Sequence, residues 1–230
     1  MCMKNLFNEK GIVLTDVQVE KLTEFKNLLL FCNEKFNLTS IKEDLDVYNK
    51  HFLDSIYGEK YFPLNASGIE IGSGGGFPSI PLMIYRSDLT FTLVESTGKK
   101  CEYLKTIVEK LKLNAKVINA RAEDLGKNPL YREKFDFVTA RAVAKLNTLS
   151  EYCIPFIKKG GVFIAYKGDN KEEIIESNNA IKVLGGKLVN SENYVLPLNA
   201  GERNIYVVKK IEETPLKYPR GNGKERSKPL

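Results

Sequence analysis

The sequence contains no tryptophan, one histidine and four cysteines among its 230 residues. The cysteines stand at positions 2, 32, 101 and 153, so no pair has a C-x-x-C or metal-knuckle spacing. A single histidine provides no two-histidine metal site, and no G-x-S-x-G nucleophile elbow is present. We therefore expect reduced thiols, no metal centre and no serine hydrolase chemistry.

Long hydrophobic runs are also missing. No stretch of about 18 apolar residues could form a transmembrane helix, and the opening residues, MCMKNLFN, lack the apolar region of a signal peptide. A hydrophobic fraction of 43% still suffices for a packed core, and 26.0 kDa fits one domain with an appendage. We expect a cytoplasmic protein without membrane contact, and a monomer, since nothing in the sequence demands a dimer.

Positive charge is concentrated at the end of the chain. Residues 209–230 carry seven lysines and arginines and three glutamates, a net charge of +4 out of the total of +6. Such a tail attracts a polyanion, and RNA is the first candidate. Removing this tail should then weaken RNA binding and leave cofactor binding intact. The alternative is a disordered tail that serves only solubility.

Residues 1–60 carry a helical pattern and form a predicted N-terminal extension. Thr15 can cap a helix whose apolar residues recur at helical spacing, and residues 37–40 end it. A second helix is predicted over residues 44–57.

Residues 61–211 alternate short apolar runs with helical patterns, and residues 212–230 form the basic tail. The predicted strands are 68–71, 90–95, 116–119, 135–140, 161–166, 187–196 and 204–209. The predicted helices are 79–85, 99–111, 146–157 and 172–184. This alternation predicts an α/β fold with a mostly parallel sheet. No helix separates the last two strands, so they should form an antiparallel edge hairpin. Seven strands of this kind are typical of the Rossmann-like class I methyltransferase fold.

The most informative motif follows the first predicted strand. Residues 72–77 read GSGGGF, with glycines spaced G-x-G-x-G and not G-x-G-x-x-G. The second spacing suits a pyrophosphate on a helix N-terminus, so the first favours S-adenosylmethionine, which has no such phosphate. We expect Gly72 and Gly74 to let the backbone approach this cofactor, with Phe77 nearby. The alternative is a glycine-rich turn.

Acidic residues follow the next two strands. Glu95 lies 23 residues after Gly72, where a carboxylate accepts hydrogen bonds from ribose hydroxyls, and Ser96 and Thr97 should line the same pocket. Alternatively, Glu95 caps a helix. Ala122 and Glu123 follow the third strand and should contact adenine, whereas Asp124 is a weaker candidate. Here the alternative is an acid that complements a helix dipole.

Arg141 follows the fourth strand, in the slot beside the transferable methyl group. Many amino-group methyltransferases have an Asn/Asp-Pro-Pro-aromatic motif there, and this chain has none. Arginine only donates hydrogen bonds and cannot act as a base. Guanine N7 carries a lone pair and no proton, so its methylation needs positioning without proton removal. Arg141 could contact the methionine carboxylate, guanine O6 or an RNA phosphate; the alternative is a surface salt bridge.

Two further residues have open roles. Lys167 follows the fifth strand and could equally contact an RNA phosphate or serve as a strand-end cation. His51, with Asp54 three residues later, is interpreted as a structural residue that packs the N-terminal helices or lines the substrate cleft.

Taken together, these motifs resemble one known family. They are NLT at 37–39, HFLDS at 51–55, IGSGGGFPSIPL at 71–82, ESTGKK at 95–100, AE at 122–123, RA at 141–142, KG at 167–168, GER at 201–203 and KYPR at 217–220. In this order, and over nearly the whole chain, they resemble the bacterial 16S ribosomal RNA guanine-N7 methyltransferases, also called the glucose-inhibited division protein B family. One departure is Gly75, where many members carry proline.

The resemblance implies methylation of one guanine at N7 in the 16S rRNA of the small ribosomal subunit. It also implies S-adenosylmethionine contacts at Gly72, Phe77, Ala122, Glu123 and Arg141, and it names no catalytic base. Arg141, Lys167, Lys217 and Arg220 are the candidates for RNA contact. Three other functions stay open on the residues alone: a small-molecule or protein methyltransferase, a nicotinamide-dependent oxidoreductase and an RNA-binding module without chemistry.

Overall fold

The computed structural model describes residues 2–170 and 172–230, which form one seven-stranded sheet flanked by helices. The strands are β1 (Ser67–Ile71), β2 (Thr90–Glu95), β3 (Ala115–Asn119), β4 (Phe135–Arg141), β5 (Ile157–Lys167), β6 (Gly186–Val195) and β7 (Glu202–Lys210). The α-helices are α1 (Met3–Asn8), α2 (Asp16–Phe36), α3 (Asp44–Asp46), α4 (Asp54–Tyr57), α5 (Ser79–Tyr85), α6 (Gly98–Lys110), α7 (Ala122–Leu125), α8 (Leu146–Cys153), α9 (Glu172–Val183) and α10 (Lys224–Ser227).

The strand order is β3-β2-β1-β4-β5-β7-β6. Strands β1 to β5 are parallel, and β7 runs antiparallel to both β5 and β6. The predicted fold is therefore confirmed, including the edge hairpin. The order reverses between β1 and β4, and ligands of such sheets bind at that switch point, beyond the carboxyl ends of the strands.

The core has two layers because side chains alternate between the faces of each strand. In β2, Phe91 and Leu93 join the layer that contains the N-terminal helices, and Val94 joins the opposite layer. Gly68 in β1 accommodates the ring of Phe137, since a Cβ there would lie 2.0 Å from a ring carbon.

The predicted N-terminal helices are present. Thr15 caps α2 in a reciprocal capping box with Gln18, with N···O distances of 2.9 and 3.2 Å. The second predicted helix is α3 and α4 joined by a π-helical segment, Val47–Leu53. Segments of this kind are frequent at functional sites. These helices share a core layer with the sheet, and the domain boundaries at 60/61 and 211/212 stay a prediction.

One helix is shorter than predicted. The pattern over residues 146–157 suggests a continuous helix, but α8 ends at Cys153 and a 3-10 turn, Ile154–Phe156, follows. Pro155 explains the difference, because its ring fixes φ and its nitrogen has no hydrogen to donate to the α-helical ladder.

The basic tail packs against the body of the protein. Thr214, Tyr218 and Glu225 are buried, and the guanidinium of Arg132 donates to the carbonyls of Thr214 at 2.6 Å and Tyr218 at 2.7 Å. The alternative of a disordered, solvated tail is therefore wrong. Across the described residues, no helix combines the length and apolar character needed to cross a bilayer.

Candidate active site

Two cavities open at the carboxyl ends of the parallel strands. The larger cavity, of about 400 Å³, lies beyond β1, β2 and β3, and its lining includes Gly72, Ser96, Ala122, Glu123, Tyr152 and Arg226. The smaller cavity, of about 290 Å³, lies beyond β4 and β5, and its lining includes Lys50, His51, Asp54, Arg141, Lys167 and Arg203. Consecutive residues separate them, since Ala142 lines the smaller cavity and Val143 the larger.

The glycine loop begins at the larger cavity, which Gly72 lines. Gly72, Gly74 and Gly76 have φ values of 72°, 50° and 88°, in the left-handed region that favours glycine. A Cβ on Gly72 would also lie 2.7 Å from a methyl group of Val143. Gly72 lines the cavity as predicted, whereas Gly74 lies outside the lining residues.

Glu95 holds the glycine loop against the turn after β2. Its Oε2 accepts the N–H of Gly74 at 3.0 Å, and its Oε1 accepts the N–H of Thr97 at 2.8 Å. The side chain is buried, and the adjacent Ser96 lines the larger cavity. The Glu95 Oε1 also accepts the hydroxyl of Ser96 at 3.5 Å, which leaves capacity for one further bond of the about four that a carboxylate can accept. Glu95 and Thr97 themselves lie outside the residues that line the cavity. The ribose role of Glu95 and the pocket role of Thr97 stay predictions.

Ala122 and Glu123 lie in the larger cavity as the sequence predicts. Both belong to α7, directly after β3, and the Glu123 carboxylate is 3.9 Å from Arg121. Asp124 and Arg121 also line the cavity. Tyr152 of α8 provides a further wall that the sequence analysis missed, because it lies far along the chain within an ordinary helical pattern.

A buried acid lies beneath the glycine loop. The carboxylate of Glu70 accepts the N–H and the hydroxyl of Ser79, at 3.1 and 2.7 Å. Burial raises the pKa of Glu70 to about 7. Sequence analysis missed this role, although a lone acid within an apolar strand was a visible signal.

Arg141 lines the smaller cavity, whereas Glu123 lines the larger one. Its guanidinium donates to Asp54 at 2.7 Å and to the carbonyl of Lys50 at 3.2 Å. The side chains of the pair are only 13% and 5% exposed, so the surface salt bridge offered as the alternative is wrong. The other Asp54 oxygen accepts the hydroxyl of Tyr194 at 2.7 Å. Whether Arg141 also contacts the cofactor stays a prediction.

His51 is neutral and fully engaged. Its Nδ1 lies 3.0 Å from the Arg141 guanidinium, which can only donate, so Nδ1 accepts and Nε2 carries the proton. Nε2 then donates to the hydroxyl of Thr39 at 2.7 Å. Burial, and secondarily the Arg141 charge, lowers the pKa of His51 to about 3. His51 thus both packs the N-terminal helices and lines the smaller cavity.

The side chain of Phe77 serves packing. Its ring stacks on His51 with centroids 4.3 Å apart, packs against Phe25, and lies under the Arg141 guanidinium, 4.8 Å from the ring centroid. It lies outside the lining of both cavities. Its predicted contact with the cofactor is not tested by this packing.

The remaining predicted cations differ in their surroundings. Lys167 lines the smaller cavity, where its ammonium pairs with Glu173 at 2.8 Å and donates to the carbonyl of Ala144. Arg220 pairs with the buried Glu151, whereas Lys217 is exposed. RNA contact by these three residues stays a prediction.

The larger cavity has the properties needed for S-adenosylmethionine. Its volume falls within the range of small-molecule sites, about 300–1,000 Å³. Because Gly72 has no side chain, the cofactor can approach the backbone closely there. Glu123 and Asp124 in the same lining can accept hydrogen bonds from the adenine amino group. In the described part of the chain, no cluster of three or more histidine, cysteine or acidic residues could hold a metal ion.

Solved structures of low sequence identity share this fold. An O-methyltransferase from Bacillus cereus, solved in complex with SAH, aligns with a TM-score of 0.57 and 18% identity over 81% of this chain and 91% of that one. M. jannaschii TYW2, solved in complex with AdoMet, aligns with a TM-score of 0.52 and 20% identity over 70% of this chain and 76% of that one. These similarities establish the fold alone.

Sequence relatives identify the family. The GidB family model, described as rRNA small subunit methyltransferase G, matches residues 18–205. A Brevibacillus brevis protein named ribosomal RNA small subunit methyltransferase G is 49% identical over 225 residues, covering 96% of this chain and 94% of the relative. A Lactobacillus helveticus protein of the same name is 47% identical over 97% of this chain and 95% of the relative. The resemblance found in the sequence is confirmed, and the chain belongs to the rRNA small subunit methyltransferase G family.

Proposed function

We propose that this protein transfers the methyl group of S-adenosylmethionine to N7 of a guanine in 16S rRNA. The observation that carries the proposal is that the consecutive residues Ala142 and Val143 line the two cavities, in a chain of this family, and we take this segment as the junction between them. The larger cavity is lined by two acids and two arginines, and the smaller one by four cations and one acid. A cofactor in the first and a base in the second would meet at this junction.

The larger cavity would hold the cofactor, which supplies a methyl group on an electrophilic sulfonium when bound. Gly72 gives the backbone access, Glu95 accepts from the ribose, and Ala122 and Glu123 contact the adenine. Ser96 lines the same cavity. Because Glu95 already fixes the loop through Gly74, the cofactor meets a site that is formed in advance.

The smaller cavity would receive the guanine. Four cations line it: Lys50, Arg141, Lys167 and Arg203. They outnumber their three acidic partners, because Asp54 pairs with both arginines, whereas Asp46 pairs with Lys50 and Glu173 with Lys167. This excess of positive charge attracts an RNA backbone. Arg141 has donors suited to guanine O6.

The chemistry needs no general base. Guanine N7 has no proton to lose, and neither Arg141 nor His51 is free to accept one: the first only donates, and both ring nitrogens of the second are hydrogen-bonded. Catalysis then depends on holding N7 in line with the methyl group, an effect of proximity and orientation.

We further propose that the protein acts as a cytoplasmic monomer without membrane contact, with residues 1–60, 61–211 and 212–230 as its three parts. The N-terminal extension builds the smaller cavity through Lys50, His51 and Asp54. Sedimentation of the purified protein tests the monomer, and a stable dimer would contradict it.

The direct test uses radiolabelled S-adenosylmethionine and small ribosomal subunits from cells that lack this gene. We expect label at one guanine, mapped by cleavage specific for N7-methylguanosine, and activity that falls steeply with salt. Cofactor binding without label in any rRNA assembly state would overturn the RNA assignment and favour the small-molecule or protein alternative.

A further inference from the structure

The C-terminal tail reaches the larger cavity. Asn222, Gly223 and Arg226 line it together with Tyr152 and residues 120–124. No local sequence pattern links these tail residues to a small-molecule site. The sequence instead predicted that the tail could be removed without affecting the cofactor, a prediction that the position of these residues in the cavity lining argues against.

A buried ion pair anchors the tail to helix α8. The Glu151 side chain is only 1% exposed, and Arg220 donates to it from its guanidinium at 2.7 Å and from its backbone N–H at 2.8 Å. Hydrogen bonds to charged groups of this kind are among the strongest in proteins. The segment therefore has a fixed position relative to α8, which also supplies Tyr152 to the cavity.

The turn after Arg220 is closed by a second buried acid. Glu225 accepts the backbone N–H of Gly221, and its carbonyl accepts the hydroxyl of Thr148 at 2.8 Å. Glu225 is fully buried, whereas the next residue, Arg226, is exposed and lines the cavity. The buried neighbour thus fixes the backbone from which the Arg226 side chain extends.

The tail also packs along the end of α7, the helix that carries the predicted adenine contacts. The ring of Pro219 lies 3.1 Å from the position a Cβ would occupy on Gly126, directly after α7. Lys127 donates to the carbonyl of Arg220 at 3.3 Å. Helices α7 and α10 both pack on α8. The tail therefore lies at the same end of the larger cavity as Ala122 and Glu123.

We propose that residues 214–227 form a fixed wall of the cofactor site, and that Arg226 is a cofactor-binding residue at its adenosine end. This inference rests on the proposed function, which places S-adenosylmethionine in the larger cavity. The guanidinium plane of arginine can stack on a purine, and its N–H groups can donate to ring nitrogens. A basic tail that suggested RNA contact thus contributes one of its cations to the small-molecule site.

The test is calorimetric titration of the full-length protein with S-adenosylhomocysteine and with methylthioadenosine, which lacks the amino-acid group. We expect Arg226→Ala to weaken the binding of both ligands by the same factor, about tenfold, because the tail covers the adenosine part that they share. Lys228→Ala, which removes an exposed charge from the same tail outside the cavity lining, is the matched control and should bind both like the wild type.

A second variant tests the anchor. Arg220→Gln releases the tail and should weaken both ligands at least as much as Arg226→Ala. Because Arg220→Gln leaves Glu151 buried without its partner, circular dichroism must first show that this variant is folded. Arg226→Ala keeps the anchors at Arg220 and Glu225 and therefore tests the wall on its own. If Arg226→Ala binds both ligands as tightly as the wild type does, Arg226 is not a cofactor-binding residue, and the proposed function is unaffected. If the wild type binds neither ligand, both proposals fail.

Discussion

The two cavities are built in different ways. The larger cavity owes its shape mainly to backbone: Gly72 at the start of a loop with three left-handed glycines, the ends of three strands and the start of a short helix, with Glu95 joining the glycine loop to the turn after β2. The smaller cavity owes its shape to side chains, because Arg141, Asp54, His51 and Tyr194 are joined by hydrogen bonds across three separate segments. The first should therefore be sensitive to added volume, and the second to the loss of a charge.

The largest effect should come from breaking the charge network of the smaller cavity. Asp54→Ala leaves the Arg141 guanidinium buried without its carboxylate, which costs about 3–5 kcal/mol of unfolding free energy. Asp46→Ala, which removes the acid of a more exposed pair with Lys50, should cost about 0–1 kcal/mol. Urea denaturation measures both. An equal loss in the two variants would show that the network is not a structural unit.

The pH dependence of stability should separate two buried groups with opposite signs. The folded pKa of His51, about 3, lies below its unfolded value of 6.5, so the stability it contributes is present above pH 6.5 and is lost as pH falls toward 3. The folded pKa of Glu70, about 7, lies above its unfolded value of 4.5, so its contribution is present below pH 4.5 and is lost as pH rises through 7.

From pH 7 to pH 5 each group changes the free energy of unfolding by about 2 kcal/mol, and the two changes nearly cancel. Glu70→Gln should therefore make acidification more destabilising than in the wild type by about 2 kcal/mol, and His51→Gln should make it less so by a similar amount. Urea denaturation at the two pH values gives both differences. If the variants lose the same free energy of unfolding between pH 7 and pH 5 as the wild type, the shifted pKa values of Glu70 and His51 are contradicted.

Added volume should harm the larger cavity selectively. Gly72→Ala places a methyl group 2.7 Å from Val143 and should weaken S-adenosylhomocysteine binding about tenfold, or 1.4 kcal/mol. Gly160→Ala is the matched control, because Gly160 also has a positive φ, 89°, but faces open space. Both should lose about 1–2 kcal/mol of stability from backbone strain. If Gly72→Ala binds S-adenosylhomocysteine as tightly as the wild type, the assignment of the cofactor to this cavity is wrong.

The smallest effect concerns the exposed charge of the tail. Lys217→Ala should reduce the slope of log affinity for rRNA against log salt by about 0.7–0.9, the contribution of one phosphate contact. Lys187→Ala, which removes an exposed lysine of β6, should leave the slope unchanged. A slope in Lys217→Ala equal to that of the wild type would exclude Lys217 from the RNA interface.

Local patterns predicted the fold and much of the larger cavity well. The strands of the parallel sheet follow from apolar runs, and the capping box at Thr15 and Gln18 is a signal within four residues. Gly72 and Glu123 lie where the strand-end rule placed them. Each of these features is set by backbone conformation or by neighbours close in the chain, so a single sequence carries the information.

Long-range pairing was harder to predict. Arg141 was predicted to contact the cofactor or the RNA, and no sequence pattern indicated that Asp54, 87 residues earlier, would pair with it in the smaller cavity. Glu151 and Arg220 are 69 residues apart, and the tail was interpreted as an arm since its charges suggest solvent or RNA. No periodicity encodes such contacts.

The sequence by itself determined how strands and helices alternate along the chain, the glycine turn that needs positive φ, and the family to which the chain belongs. The tertiary structure decided which charged side chains are buried together and which residues enclose each cavity. The physical reason is that hydrophobic periodicity and turn geometry act over a few residues, whereas the pairing of a buried charge depends on whichever distant segment the fold brings within about 3 Å of it.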